Sequence, residues 1–202
     1  MSIDELQYAA RLMFPENEWE WLQSLKNRLI ARTRPEDRFE RLVPPSQLLD
    51  LGIELMDWAN AADDARQRVR DIAYRDGFII SLLSVWPLRR RSIAAMTVGN
   101  HVCLDPDGAT LLLHPEDTKS KREERFRAPD YLLPHFRHYL GKVRPRFPGA
   151  NRHDGLWTSI QSRPLSGTGL YRILHTRIPT RYGKQMSLHD VRRSAATFIA
   201  TT

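Results

Sequence analysis

Apolar residues recur at helical spacing along most of this chain and alternate with polar ones only in a short central stretch. Ile3 to Leu12 and Trp19 to Ile30 show the helical period, interrupted by Phe14-Pro15-Glu-Asn and followed by a polar break at Arg32-Thr-Arg-Pro35-Glu-Asp. Two amphipathic helices bury too little surface to form a domain. Residues 1–42 are therefore expected to pack on the remainder of the chain or to be the tail of a helical domain further upstream. Val43-Pro-Pro-Ser46 marks a boundary, and Ser46 is placed to cap the next helix. Leu48, Leu49, Gly52, Leu55, Met56 and Ala59 make one apolar face of that helix. Asp63 or Asp64 can cap a second helix with Val69, Ile72, Ala73, Ile79, Leu82 and Leu83 inward.

Beyond a turn at Pro87 the pattern predicts a short helix over Ser92 to Met96. Thr97 to Leu104, Asp105-Pro-Asp-Gly108 and Ala109 to His114 then read as strand, turn and strand. Arg122 to Pro129 has the alternation of an edge strand, and Asp130 opens a helix carrying Leu132, Leu133, Phe136, Tyr139, Leu140 and Val143. Gly155-Leu-Trp157 reads as a buried turn. Ser166 caps a helix with Leu170, Ile173 and Leu174, closed at Tyr182-Gly183. A last helix starts at Ser187, with Asp190 in its first turn and Leu188, Val191, Ala195 and Phe198 at helical spacing. The fold class expected is mainly α with a small antiparallel β-sheet (α+β).

Composition narrows the function classes. The 202 residues are enough for one sizeable core. Lysine and arginine total 31 against 24 acids, a net +7, which favours a polyanionic partner. Cys103 is the only cysteine, so an intrachain disulfide, a thiolate metal cluster and a Cys-x-x-Cys redox pair are all excluded. The acidic start leads into no signal-peptide core, and the longest apolar run, Phe78 to Trp86, is too short to span a bilayer. A cytoplasmic protein with no membrane partner is expected.

Three phrases carry candidate chemistry. On the last helix His189 and Arg192 stand three residues apart, on one face, where a protonatable ring and a fixed cation can address one phosphate. A solvated arginine and a capping histidine would give the same spacing. Upstream, Trp86-Pro-Leu-Arg-Arg-Arg places three arginines at a turn, and Asp117-Thr-Lys-Ser-Lys-Arg122 places two lysines in a hairpin. In that order the three phrases resemble the tyrosine recombinase, or phage integrase, family over residues 43–202, taken as its catalytic domain.

The resemblance implies site-specific recombination and integration of double-stranded DNA by strand cleavage and rejoining, with neither a cofactor nor a metal. It assigns Arg89 and Arg192 to the non-bridging phosphate oxygens, which guanidinium grips bidentately. Arg89 is chosen because it follows Pro-Leu as the family's arginine follows Gly-Leu, and Arg90 and Arg91 are its alternatives. Lys119 becomes the general acid toward the leaving 5′ oxygen, with Lys121 as its rival, and neutralisation of backbone phosphates by both is the plainer role. His189 accepts the nucleophile's proton or holds the phosphate. No carboxylate triad suggests a two-metal site.

Two departures stand out. The family's attacking tyrosine lies beyond the His-x-x-Arg helix, whereas Tyr8, Tyr74, Tyr131, Tyr139, Tyr171 and Tyr182 all precede Arg192 and read as packing or surface. The chain is thus expected to be a catalytic domain incomplete at its C-terminus, inactive alone and a homo-oligomer on DNA. The alternative is a DNA-binding accessory or dominant-negative regulator without strand cleavage, and a third reading is a basic helical interaction module unrelated to DNA. The second departure is Ser92, where many relatives carry an acid.

Overall fold

The computed structural model describes residues 3–32 and 40–200, in two compact units, Met1–Glu40 and Arg41–Thr202. The polar break expected over 33–37 lies outside the described residues. The first unit holds α1 (Ile3–Met13) and α2 (Glu20–Arg32), as the periodicity predicts. The link between them is closed by the indole of Trp19, which donates to the Phe14 carbonyl at 3.0 Å.

The second unit is built on two helices, α3 (Pro45–Ala61) and α4 (Gln67–Val85). Thirteen of the nineteen residues of α4 are buried, so it is the central helix and is enclosed on nearly all sides. Two glycines let α3 cross it closely. A Cβ at Gly52 would lie 2.1 Å from Ser81 Oγ and 2.6 Å from the Gly77 carbonyl oxygen, and one at Gly77 would lie 2.5 Å from the Gly52 carbonyl oxygen. An aromatic core packs against α4: Phe78 meets Phe136 edge-on at 4.7 Å and Trp157 at 5.6 Å, and Tyr139 lies 5.4 Å from Trp157. Such a buried helix must pair its charges. Asp71 receives Arg146 through Nε at 2.9 Å and Nη2 at 2.5 Å, and Asp76 is gripped by Arg75 and Arg177.

Neither helix starts where the capping residues suggest. Pro44 is the N-cap of α3 and Pro45 its first residue, which leaves Ser46 inside the first turn; the missing N–H and fixed φ of proline suit that position. The second helix begins at Gln67 rather than after Asp63 or Asp64. Val69, expected inward, is exposed at 48% because the burial of α4 begins only at Asp71.

After α5 (Arg90–Ala95) the chain enters a three-stranded antiparallel sheet, β1 (Val102–Asp105), β2 (Gly108–Leu113) and β3 (Glu124–Arg127), in that spatial order. The first strand is shorter than its apolar pattern. Thr97 bridges Gly155 instead, Gly99 turns the chain at φ +85°, and pairing starts only at Val102 opposite Leu111. The strand β3 is the expected edge strand. Then come α6 (Leu133–His138), extended by a π-helical turn to Val143, α7 (Gly167–Tyr182) and α8 (Leu188–Ala200). The helix α7 starts and stops as predicted: Ser166 Oγ accepts from the Gly169 amide at 3.2 Å, and Gly183 ends it in the left-handed region at φ +66°. The molecule is mainly helical with a small antiparallel sheet, and no helix among the described residues is long and apolar enough to cross a membrane.

Candidate functional site

The last helix is fixed by its own sequence at one end and by packing along its length. Ser187 and Asp190 form a reciprocal cap: the Asp190 amide donates to Ser187 Oγ at 3.3 Å, and Asp190 Oδ2 receives the Ser187 amide at 2.9 Å and hydroxyl at 2.7 Å. Burial pushes the Asp190 carboxyl up, but these hydrogen bonds, with the charges of Arg41 and His189, outweigh it and hold the group below its ordinary range. Leu188, Val191 and Ala195 face the core, and Ser194 Oγ, fully buried, donates to the Val43 carbonyl at 2.6 Å. Phe198, expected inward, is 39% exposed. One turn of this helix therefore presents His189 and Arg192 outward together.

Arg192 reaches back to the turn before α5, where its Nη1 donates to the Pro87 carbonyl oxygen. Leu88, buried at 3%, pins that turn, and Arg89 follows as the N-cap of α5. On the other side, the β2–β3 connection makes a 3-10 turn over Pro115–Asp117 and then a small loop. Thr118 Oγ1 closes the loop by accepting the Arg122 amide at 3.2 Å and approaching the Arg122 carbonyl oxygen at 2.8 Å. Lys119 projects from this loop, and Lys121 adopts φ +55° within it, a conformation unusual for a side-chain-bearing residue.

These elements enclose an open cleft of about 850 Å³. All four residues singled out from the sequence, Arg89, Lys119, His189 and Arg192, line it. Arg90, Arg91 and Lys121 line it as well, giving six cationic side chains against the carboxylates of Glu116 and Asp117. Such a wall favours an anionic ligand. A smaller recess of about 150 Å³ separates the candidates further: Arg89, Lys119 and Arg192 line both spaces, whereas Arg90, Arg91, Lys121 and His189 line only the larger one. Arg90 packs toward α7, where a Cβ on Gly167 would touch its Cδ at 3.2 Å. Among the described residues Arg89 and Lys119 have no ion-pair partner.

Three further residues stand at or behind the site, of which the sequence singled out only Ser92, as a departure from the family's pattern. Tyr171 of α7, 41% exposed, stands on the cleft wall and stacks on His175 at 3.8 Å. Ser92, from the same short helix as Arg89, donates to the Asp117 carbonyl at 2.7 Å. His101, one of the scattered histidines, pairs with the Asp117 carboxylate at 2.9 Å. Asp117 lies 25 residues from Ser92 and 16 from His101 in the chain, so only the folded form brings these three together. Among the described residues no group of three or more His, Cys, Asp or Glu side chains could hold a metal ion. Compared with known proteins, the chain matches no family model, no curated protein and no solved structure.

Proposed function

We propose that the cleft binds a phosphodiester of double-stranded DNA and supports strand cleavage and rejoining of the tyrosine recombinase type. One observation carries this reading: Arg89, Lys119 and Arg192, separated in sequence, line the same recess, and His189 lines the larger cleft that these three residues also line. Two guanidinium groups would hold the non-bridging oxygens and offset the charge that spreads over them in the transition state. Lys119 would give its proton to the leaving 5′ oxygen. His189, on the exposed face of α8, would hold the phosphate or take the proton of the attacking hydroxyl. Phosphorus gains a bond to a hydroxyl oxygen that a second chain would supply, since none of this chain's six tyrosines is assigned to the attack, and loses its bond to the 5′ oxygen, which takes the proton of Lys119. The reading assigns phosphate binding, charge stabilisation and proton delivery; it gives the nucleophile's role to none of the six tyrosines, all of which precede Arg192.

The cationic wall needs no nucleophile to grip a phosphate, which favours a second reading, a DNA-binding accessory or regulator that occupies a site without cutting it. Titration of a labelled duplex at rising salt tests what the two share: affinity falls steeply with salt and is weakened by Arg89→Ala and by Arg192→Ala. A covalent adduct on a nicked duplex, which needs a nucleophile outside the roles assigned above, overturns the accessory reading. Absence of duplex binding at low salt overturns both.

A further inference from the structure

We propose that Ser92, Asp117 and His101 are positioning residues that hold Lys119 at a set distance from Arg89, a role that rests on the phosphodiester reading above. The helix α5 opens on Arg89, and three residues later Ser92 sends its hydroxyl to the Asp117 carbonyl at 2.7 Å. Lys119 lies two residues beyond Asp117. A single hydrogen bond from a side chain only 4% exposed therefore joins the segment that carries the guanidinium to the segment that carries the amine.

The carboxylate of Asp117 is clamped as firmly as its carbonyl. Its Oδ2 accepts the His114 amide at 3.3 Å and faces His101 Nε2 at 2.9 Å. His101, 6% exposed, points its other nitrogen at Thr97, whose backbone amide lies 3.1 Å from Nδ1 and whose hydroxyl lies 2.8 Å from it. An amide N–H can only donate, so Nδ1 is the acceptor and the ring proton resides on Nε2, directed at Asp117. The order of donors is thus fixed from Thr97 through His101 to Asp117. The charge of Asp117 is occupied by this histidine and this amide, leaving Lys119 free of an ion pair with it among the described residues. A part-buried polar network that joins three segments in this way favours one arrangement of the loop.

Lysine labelling with pyridoxal 5′-phosphate tests the assignment. Its phosphate occupies an arginine-lined anion site, its aldehyde condenses with a nearby amine with loss of water, and borohydride then fixes the imine for mass spectrometry. In the unaltered chain Lys119 is labelled in preference to Lys121, and excess duplex DNA protects it. Ser92→Ala and Asp117→Ala lower the Lys119 to Lys121 labelling ratio by about tenfold, as expected when a reactive group is misplaced by a fraction of an ångström. Asp117→Asn, which keeps an oxygen for His101, retains the preference. Thermal melts confirm folding, and Ser92→Ala, which deletes one hydroxyl, decides alone should Asp117→Ala not fold. An unchanged ratio in folded Ser92→Ala overturns the positioning role while leaving the phosphate site intact. Failure of the unaltered chain to label Lys119, or of DNA to protect it, overturns the phosphodiester reading itself.

Discussion

The guanidinium of Arg192 donates to the carbonyl oxygen of Pro87, two residues before Arg89. This bond ties the exposed face of α8 to the turn that starts α5, so Arg192 is held by the backbone of the turn that leads into Arg89 as well as by its own helix. It also occupies one edge of the Arg192 fork and leaves the rest of the group directed at the cleft.

Two substitutions separate the charge of Arg192 from its shape. Arg192→Ala lowers the slope of log affinity for duplex DNA against log salt by about 0.9, the loss of one phosphate contact. Arg192→Lys keeps the charge and hence the slope, yet binds more weakly, because a lysine cannot span the Pro87 carbonyl and a phosphate together. Fluorescence anisotropy across a salt series measures both quantities. Equal slopes for the two variants would remove Arg192 from the phosphate contacts.

The cap of α8 makes part of the stability depend on acid. The folded-state pKa of Asp190 is depressed, so its contribution is present above the unfolded carboxylate value of about 3.9 and is lost as pH falls through the lower folded value. Asp190→Asn is therefore less stable than the unaltered chain at neutral pH, and the gap closes on acidification. Urea unfolding at neutral pH and at about pH 2 reads the difference.

Asp76 stands between two arginines in the core of the second unit. Arg75 reaches its Oδ1 at 2.7 Å and Arg177 its Oδ2 at 2.8 Å, with Asp76 itself 4% exposed. Asp76→Ala leaves the buried Arg75 without its counter-charge and is expected to cost about 3–5 kcal/mol. Chemical denaturation measures that loss, and a variant within about 0.5 kcal/mol of the unaltered chain would contradict it.

The crossing of α3 over α4 has no room for one methyl group. Gly52→Ala brings its Cβ far inside van der Waals contact with Ser81 Oγ and the Gly77 carbonyl, so the helices must separate. A destabilisation of about 1–3 kcal/mol or more results from forcing atoms into a packed interface. A shift of the urea midpoint checks it. Leu55→Ala, on a partly buried position of the same helix, serves as the comparison.

Element by element, the features legible in the sequence were local. The caps at Ser166 and Ser187, the left-handed stop at Gly183 and the period of α1, α2 and α7 depend on residues within one or two turns of each other, and each appears in the structure where its own neighbours place it. Val69, Phe198 and the stretch from Thr97 to His101 escaped because apolar patterning says that a residue is fit for a core without saying whether another element arrives to cover it. The order of Arg89, Lys119, His189 and Arg192 was legible as motifs. Their gathering around one cleft was not, since it depends on Arg192 meeting Pro87 and on Ser92 meeting Asp117, contacts between segments 105 and 25 residues apart. The sequence by itself determined the helices, both ends of α7 and the start of α8, and the residue types available for binding an anion. Only the tertiary structure decided which cations share a recess and which polar side chains hold them there, because closing long stretches of chain onto one point is a property of the packed core and not of any local run of residues.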